Sequence, residues 1–356
     1  MEYSLKQKLG AVIYDVPRFM WAMRPSSSSH WVSIRNRNEQ LSMKDGGVRC
    51  DWRWTSDLHV SNVFPNLGRM LMKRALRDWP IRVSDHPGSQ LGEPTISFII
   101  AHRGSERLPH LLLTLKSIAA QRRTKFECIV VEQSPTCEVK NHLPSWARYV
   151  HTPLSNPVAA FSRSWAFNVG ARNAQGEVLV LHDNDMLIPQ DYASEILKHR
   201  DEGSDVINLK RFIFYLTEKD SKEILTSKRS ITTATAQVVV QNLEAGGSVA
   251  ISRTGYFAIG GFDEAFVGWG GEDNEFWERA QTLRVWPYGY LPIVHLWHTA
   301  QPGKHAHHRS TAALLEARSK IPASQRVAEL AARKFGNSVD HFLMERPEVG
   351  TEICAE

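Results

Sequence analysis

The sequence predicts an α/β fold in which a mixed, mainly parallel sheet carries helices on both faces, with an N-terminal extension and C-terminal helices. Three observations lead there. Of the 356 residues 42% are hydrophobic, enough to bury a sizeable core. From Thr95 onward, short β-branched apolar runs alternate with segments of helical amphipathic spacing. The turn-rich stretch SDHPGSQLGEP, Ser84 to Pro94, divides that alternating region from a more weakly periodic one before it.

In chain order, residues 1–94 form the extension, rich in Trp, Arg and Ser, with 84–94 as its linker. Within it GRMLMKRALRDW sets Met and Leu against Arg and Lys at helical intervals, a basic amphipathic helix that either packs on the main domain or lies on a membrane surface. TISFIIA (Thr95–Ala101) and FECIVVEQ (Phe126–Gln133) read as buried strands, and SERLPHLLLTLKSIAAQRR between them as their crossover helix. ARYVHTP continues as a strand, SRSWAFNVGARNAQG as a helix and EVLVLHDND (Glu177–Asp185) as a strand, with a helix expected to begin near Pro189. DVINLKRFIFYL and GGSVAISR read as further strands, and the polar TEKDSKEILTSKRSITTATAQ between them as a loop excursion. STAALLEARSKI and ASQRVAELAARKFG read as helices of a C-terminal tail over 301–356, which leaves 95–300 as the main domain. Ligands of such a sheet lie at the carboxyl ends of its strands.

The 43 Lys and Arg exceed the 38 Asp and Glu by five, a mild excess that suits phosphate-bearing ligands or an anionic membrane surface. Without an aromatic–basic stripe it argues against a nucleic-acid partner. Cys50, Cys128, Cys137 and Cys354 are scattered, so neither a zinc knuckle nor a disulfide framework is indicated, and a reducing cytoplasm is the expectation. The first residues, MEYSLKQKLGAVIYDVPRF, lack the pattern of a signal peptide, and no apolar run is long enough to span a bilayer. A cytoplasmic protein is expected, soluble or peripheral at the inner face of a membrane.

Three segments carry side chains suited to chemistry. VLVLHDNDMLIP delivers Asp183 and Asp185 at the end of a buried strand. Side chains at i and i+2 share one site only if the chain bends there, where oxygen ligands would suit Mg²⁺ or Mn²⁺ on a diphosphate; the alternative is an Asx-capped turn toward Pro189. PIVHLWHTAQPGKHAHH supplies His295 and His298, imidazoles able to complete a carboxylate metal site, while His305, His307 and His308 suit a solvated or phosphate-facing loop. FVGWGGEDNEFWERA sets Trp269, Gly270 and Gly271 before Glu272 and Asp273. The carboxylates suit a helix start; the glycines admit close approach of a ligand, and the indole suits stacking on a pyranose.

Together these segments resemble a GT-A glycosyltransferase, the Rossmann-like nucleotide-diphospho-sugar transferase fold, in the family 2 and family 7-like branch that includes β-1,4-galactosyltransferases and bacterial chondroitin-type polymerases. GWGGEDNEFWERA with GGFDEAF before it is similar to the family's acceptor segment, FIIAHRGSERLPHLLLTL to its nucleotide-binding strand and helix, FSRSWAFNVGARNA to its F-N-R-A-x-x-x-N-V-G helix, HDNDMLIP to its D-x-D motif, and HLWH to its metal histidine segment. The resemblance runs from about Thr95 to His298. It implies donor and nucleotide contacts from His102, Arg103, Glu132, Phe161, Arg163, Asp183 and Asp185. It implies Asp185, His298 and His295 as metal ligands, Trp269, Gly270, Gly271 and Glu272 on the acceptor side, and Asp273 as catalytic base beside Glu272. Ala101, Ser162 and Ser105 depart from the family's Pro, Asn and Arg.

What the resemblance implies is a metal-dependent, inverting hexosyl transfer (Gal, GalNAc or Glc type) from a UDP-sugar, with Mn²⁺ or Mg²⁺, to a glycan, lipid-linked or small-molecule acceptor in bacterial surface polysaccharide or glycoconjugate synthesis. The helix that starts near Asp273 would help keep its carboxylate ionised. The competing reading is a catalytically inactive, transferase-like carbohydrate-binding module that keeps only the Trp platform. A dinucleotide enzyme is disfavoured, since AHRGSERL has no G-x-G-x-x-G loop.

Overall fold

The computed structural model describes residues 3–24, 30–44, 46–51, 56–88, 92–154, 160–241, 246–300 and 308–337. His305 and His307, read above as part of a solvated loop, lie outside them, as does the side chain of His308. The strands in chain order are β1 (Gln40–Lys44), β2 (Gly47–Asp51), β3 (Ser56–Asp57), β4 (Ile96–His102), β5 (Phe126–Ser134), β6 (Arg148–Pro153) and β7 (Val178–His182). They continue with β8 (Met186–Leu187), β9 (Val206–Ile207), β10 (Lys210–Leu216), β11 (Ala236–Gln241), β12 (Ser248–Ser252), β13 (Val285–Trp286) and β14 (Leu291–His295).

The main sheet has seven strands in the order β13-β9-β12-β7-β4-β5-β6. Its β7, β4, β5 and β6 run parallel, and β12 lies antiparallel between β7 and β9. Every residue of β4 and of β5 is buried, as strands covered on both faces require. Alternate residues serve different cores: Ile96, Phe98 and Ile100 face one, Ile99 and Ala101 the other. The helix Arg163–Asn173 packs on the second face, where Gly170 is needed: a Cβ there would stand 2.2 Å from Ile99 Cγ2.

A second sheet, β3-β11-β10-β14-β8, stands beside the first. Only three residues lie between the end of β7 and this sheet's antiparallel β8, so Asp183, Asn184 and Asp185 are the crossing from one sheet to the other. That crossing is the bend the paired carboxylates require. In the β14–β8 register His295 faces Met186, and the Leu296 N–H donates to the Asp185 carbonyl at 2.9 Å, which brings the histidine segment to the same spot.

The extension is woven into this core. The amphipathic helix spans Pro65–Asp78 and buries Leu71, Met72, Ala75 and Leu76 against the first core. β3 pairs with β11, and the buried Arg211 guanidinium donates to the carbonyls of Val32 and Ile34. No helix among the described residues is long and apolar enough to cross a membrane.

One expectation is corrected. TEKDSKEIL does not form a loop: Glu218–Leu225 is a helix, N-capped by Thr217, with Asp220, Ser221 and Ile224 buried. Its acidic first turn and cap are helix-start chemistry that the polar composition obscured. Cys50 and Cys128 are buried and take no part in a disulfide.

Gly170→Ala is expected to destabilise the protein by about 1–3 kcal/mol through overpacking, although alanine is the better helix former by up to about 1 kcal/mol. Urea unfolding of the two proteins decides it; an unchanged or raised midpoint would refute the packing account.

Candidate active site

Two clusters of charge meet at the β7–β8 crossing. The first centres on Asp185, whose Oδ2 lies 3.1 Å from His298 Nε2 and 3.1 Å from Arg107 Nη1, while its Oδ1 is 3.6 Å from His295 Nε2. Asp185, His295 and His298 offer ligand atoms all within 4.8 Å of one another. Burial favours protonation of Asp185, but His295, His298 and Arg107 outweigh it and hold its carboxyl below the usual range. Burial pushes His295 down to about 4, so its ring is neutral at pH 7, and it stacks on Tyr215 with centroids 4.3 Å apart.

His298 Nδ1 lies 3.0 Å from the Thr299 carbonyl, which can only accept. The hydrogen bond therefore puts the proton on Nδ1 and leaves Nε2 aimed at a carboxylate oxygen. Two acceptors at 3.1 Å repel unless a proton or a cation lies between them. One carboxylate with two imidazoles is a donor set that fits Mn²⁺ or a similar borderline cation.

The second cluster centres on Arg163, the first residue of its helix, behind the Ser162 N-cap. Its guanidinium reaches Asp183 Oδ1 at 2.6 Å, Asp273 Oδ1 at 2.5 Å and Glu272 Oε1 at 3.6 Å. Burial opposes its charge, yet Asp183, Asp273 and Glu272 outweigh that and raise its pKa. Asp183 also accepts from the Gly247 N–H at 3.1 Å, and burial raises its pKa against the opposing pull of Arg163.

Glu272 and Asp273 open the helix Glu272–Ala280, where first-turn carboxylates meet its positive end. The cap is Gly271, at φ 90°, where a Cβ would also crowd Phe266 Cε1 at 3.0 Å. Glu272 Oε2 accepts from the Gly270 N–H at 2.9 Å. Burial first, and Asp273 second, push Glu272 up to about 7. A buried Arg279–Glu275 pair, joined by Arg326 of the helix Ala323–Ala331, fixes this helix from below. The loop before it is held at two adjacent residues, by Gly268 N–H on the Phe161 carbonyl and by Thr311 Oγ1 on the Trp269 carbonyl, and Trp269 stands 44% exposed.

The fold thus gathers Asp183, Asp185, His295, His298, Arg163, Glu272 and Asp273, with Phe161 and Gly270 holding the loop. His102 joins them through Asn184, whose amide lies 2.8 Å from its Nδ1, and burial pushes this histidine down to about 4. Glu132 stands apart: Tyr149 Oη and the backbone N–H groups of Glu138 and Val139 engage both its oxygens. Arg103 is half-buried, with Glu138 the opposing charge.

Sequence reasoning missed Arg107, Asn184 and Lys210. Lys210 is buried, donates to the Ser248 carbonyl, and is brought down to about 7 by that burial against the pull of Asp273 and Asp183. No spacing signals these residues, because Arg107 meets Asp185 across 78 positions.

Residues 97–286 match the family model described as glycosyltransferase like family 2. Among solved structures, the catalytic domain of Drosophila beta1,4galactosyltransferase 7 in complex with xylobiose aligns at 16% identity with a TM-score of 0.31, over 53% of this chain and 63% of that one. The chain therefore spans less than two thirds of that domain's length. No curated protein matches.

Glu272 generates a pH prediction. It keeps its proton to about pH 7 when folded but only to about 4.5 as an ordinary glutamate, so the native state binds more protons over that window and loses stability as pH rises through it. Glu272→Gln should flatten that decline and be the more stable protein at pH 8. Thermal melts of both proteins at pH 5 and pH 8 check it, and identical pH slopes would contradict the burial argument.

Proposed function

The chain belongs to the glycosyltransferase-like family 2, and we propose that it moves a hexose from a UDP-sugar to an acceptor hydroxyl with inversion at the anomeric carbon. Its mixed α/β sheet is of the GT-A type. The observation that carries the reading is the site in which an accessible carboxylate, Asp273, is bridged by Arg163 to Asp183 at the β7–β8 crossing.

Asp185, His295 and His298 would hold the divalent cation. When bound it supplies the positive charge that stabilises a departing diphosphate. The chain's own residues do the remaining work. Asp183 and Arg163 line the donor side, with Phe161, His102 and Arg103 next to them. Trp269 offers an apolar plane for the acceptor sugar, and the Gly270–Gly271 turn lets that sugar approach the backbone.

Between the two acidic residues, exposure and commitment choose the base. The Asp273 side chain is 28% exposed and that of Glu272 only 7%. Glu272 Oε2 is also taken by the Gly270 N–H. A base must come within hydrogen-bond reach of the hydroxyl it deprotonates, so Asp273 takes the proton while Glu272 shapes the acceptor turn. Glu132, with both oxygens engaged, acts on the donor side by holding the loop after β5 in place. The acceptor is a glycan, a lipid-linked oligosaccharide or a smaller hydroxyl compound, consistent with a role in surface polysaccharide or glycoconjugate synthesis.

The test is UDP release over UDP-Gal, UDP-GalNAc, UDP-Glc, UDP-GlcNAc and UDP-GlcA, with Mn²⁺ and again with a chelator. One donor should turn over, and only with metal. Asp273→Asn should bind UDP like the parent yet transfer about 10²–10⁴-fold more slowly, the usual contribution of a general base. Full transfer in that variant would refute the base, and no turnover of any donor with metal would refute the class.

A further inference from the structure

We propose that Arg107 is an exchangeable counter-ion of the Asp185 site: it competes with the divalent cation for Asp185 and, once displaced, binds the diphosphate of the nucleotide sugar. This rests on the metal-dependent UDP-sugar reading above.

Arg107 Nη1 and His298 Nε2 both approach the same oxygen, Asp185 Oδ2, at 3.1 Å. A cation shared by Asp185 and His298 would sit beside that guanidinium, and two positive groups in contact with one buried oxygen repel. The arginine must yield, because the carboxylate and the imidazole are the ligands. Its side chain is only 12% exposed, and burial already lowers its pKa against the pull of Asp185, so it depends on a nearby anion.

The neighbouring carboxylate offers no substitute. Asp183 Oδ1 is held by Arg163, and its Oδ2 by the Gly247 N–H. Arg107's remaining acceptor is the Thr299 carbonyl, 3.5 Å from Nη2. An anion that arrives with the cation is the diphosphate itself, and a planar guanidinium fork matches its oxygens. Arg107 also stands at the N-cap position of the helix Leu108–Ala119, whose positive end favours negative charge. The residue thus fills the carboxylate's need for charge before the metal arrives and the phosphate's need after it.

The experiment measures two affinities calorimetrically: Mn²⁺ alone, and UDP at saturating Mn²⁺. Arg107→Ala should bind Mn²⁺ more tightly and UDP about tenfold more weakly, the loss of one charge-assisted contact. Arg107→Lys keeps the charge without the fork, so its Mn²⁺ affinity should stay near the parent's and its UDP affinity fall between the two. Weaker or unchanged Mn²⁺ binding in Arg107→Ala would overturn the competition and leave Arg107 as a positioning residue for Asp185. Unchanged UDP binding would overturn the phosphate role. A parent protein that binds neither Mn²⁺ nor UDP would instead overturn the transferase reading, so the two failures are distinguishable.

Discussion

The Arg163 guanidinium is the interaction on which the site's geometry depends. Four acidic side chains, Asp183, Asp185, Glu272 and Asp273, converge on one region, and like charges in a low-dielectric setting drive one another apart or toward protonation. Arg163 reaches three of them, and Arg107 with the two histidines reaches the fourth. Without the central cation, the helix starting at Glu272 would bring two carboxylates against a third with nothing between them. Its capped helix start, and the Phe161 carbonyl that holds the Gly268 N–H, tie the position of the charge to that of the aromatic loop.

The second constraint is the passage between the sheets. Three residues carry the chain from β7 to β8, too few to form anything but a sharp turn, and hydrogen bonds at both ends leave that turn little freedom. β14 then pairs with β8, so a single register decides that His295 and His298 arrive at Asp185. A slip by one residue would reverse the faces of β14 and send these histidines elsewhere. The geometry of the Asp185, His295 and His298 cluster is therefore a property of strand pairing more than of local motif.

Much of the architecture is legible in the chain. Continuous apolar runs such as ISFIIA and ECIVV announce strands buried on both faces, and the Gly pair before Glu272 announces a turn that feeds a helix. The polar segment after Leu216 misled because composition outweighed the Thr217 cap and the acidic first turn. Resemblance singled out Asp185, His298 and Asp273 and placed Arg163 at the nucleotide, but that its guanidinium joins Asp183 to Glu272 and Asp273 emerges only from the fold. It was silent on Arg107 and Lys210, whose partners lie far away in sequence.

By itself, then, the sequence determined the alternation of strands and helices, the order of the motif segments and the chemical types at the site, because these depend on periodicity and on residues near one another in the chain. Tertiary structure alone decided which carboxylate each arginine meets, that Glu132 is engaged by its own loop, that the extension shares the main core, and that Glu272 is buried while Asp273 remains reachable. Those outcomes follow from register and packing between elements up to about two hundred positions apart, as in the Arg211 bond to the Val32 carbonyl across 179 residues. Local pattern carries no information about such distances, whereas a closed set of hydrogen bonds and filled volume admits only one solution.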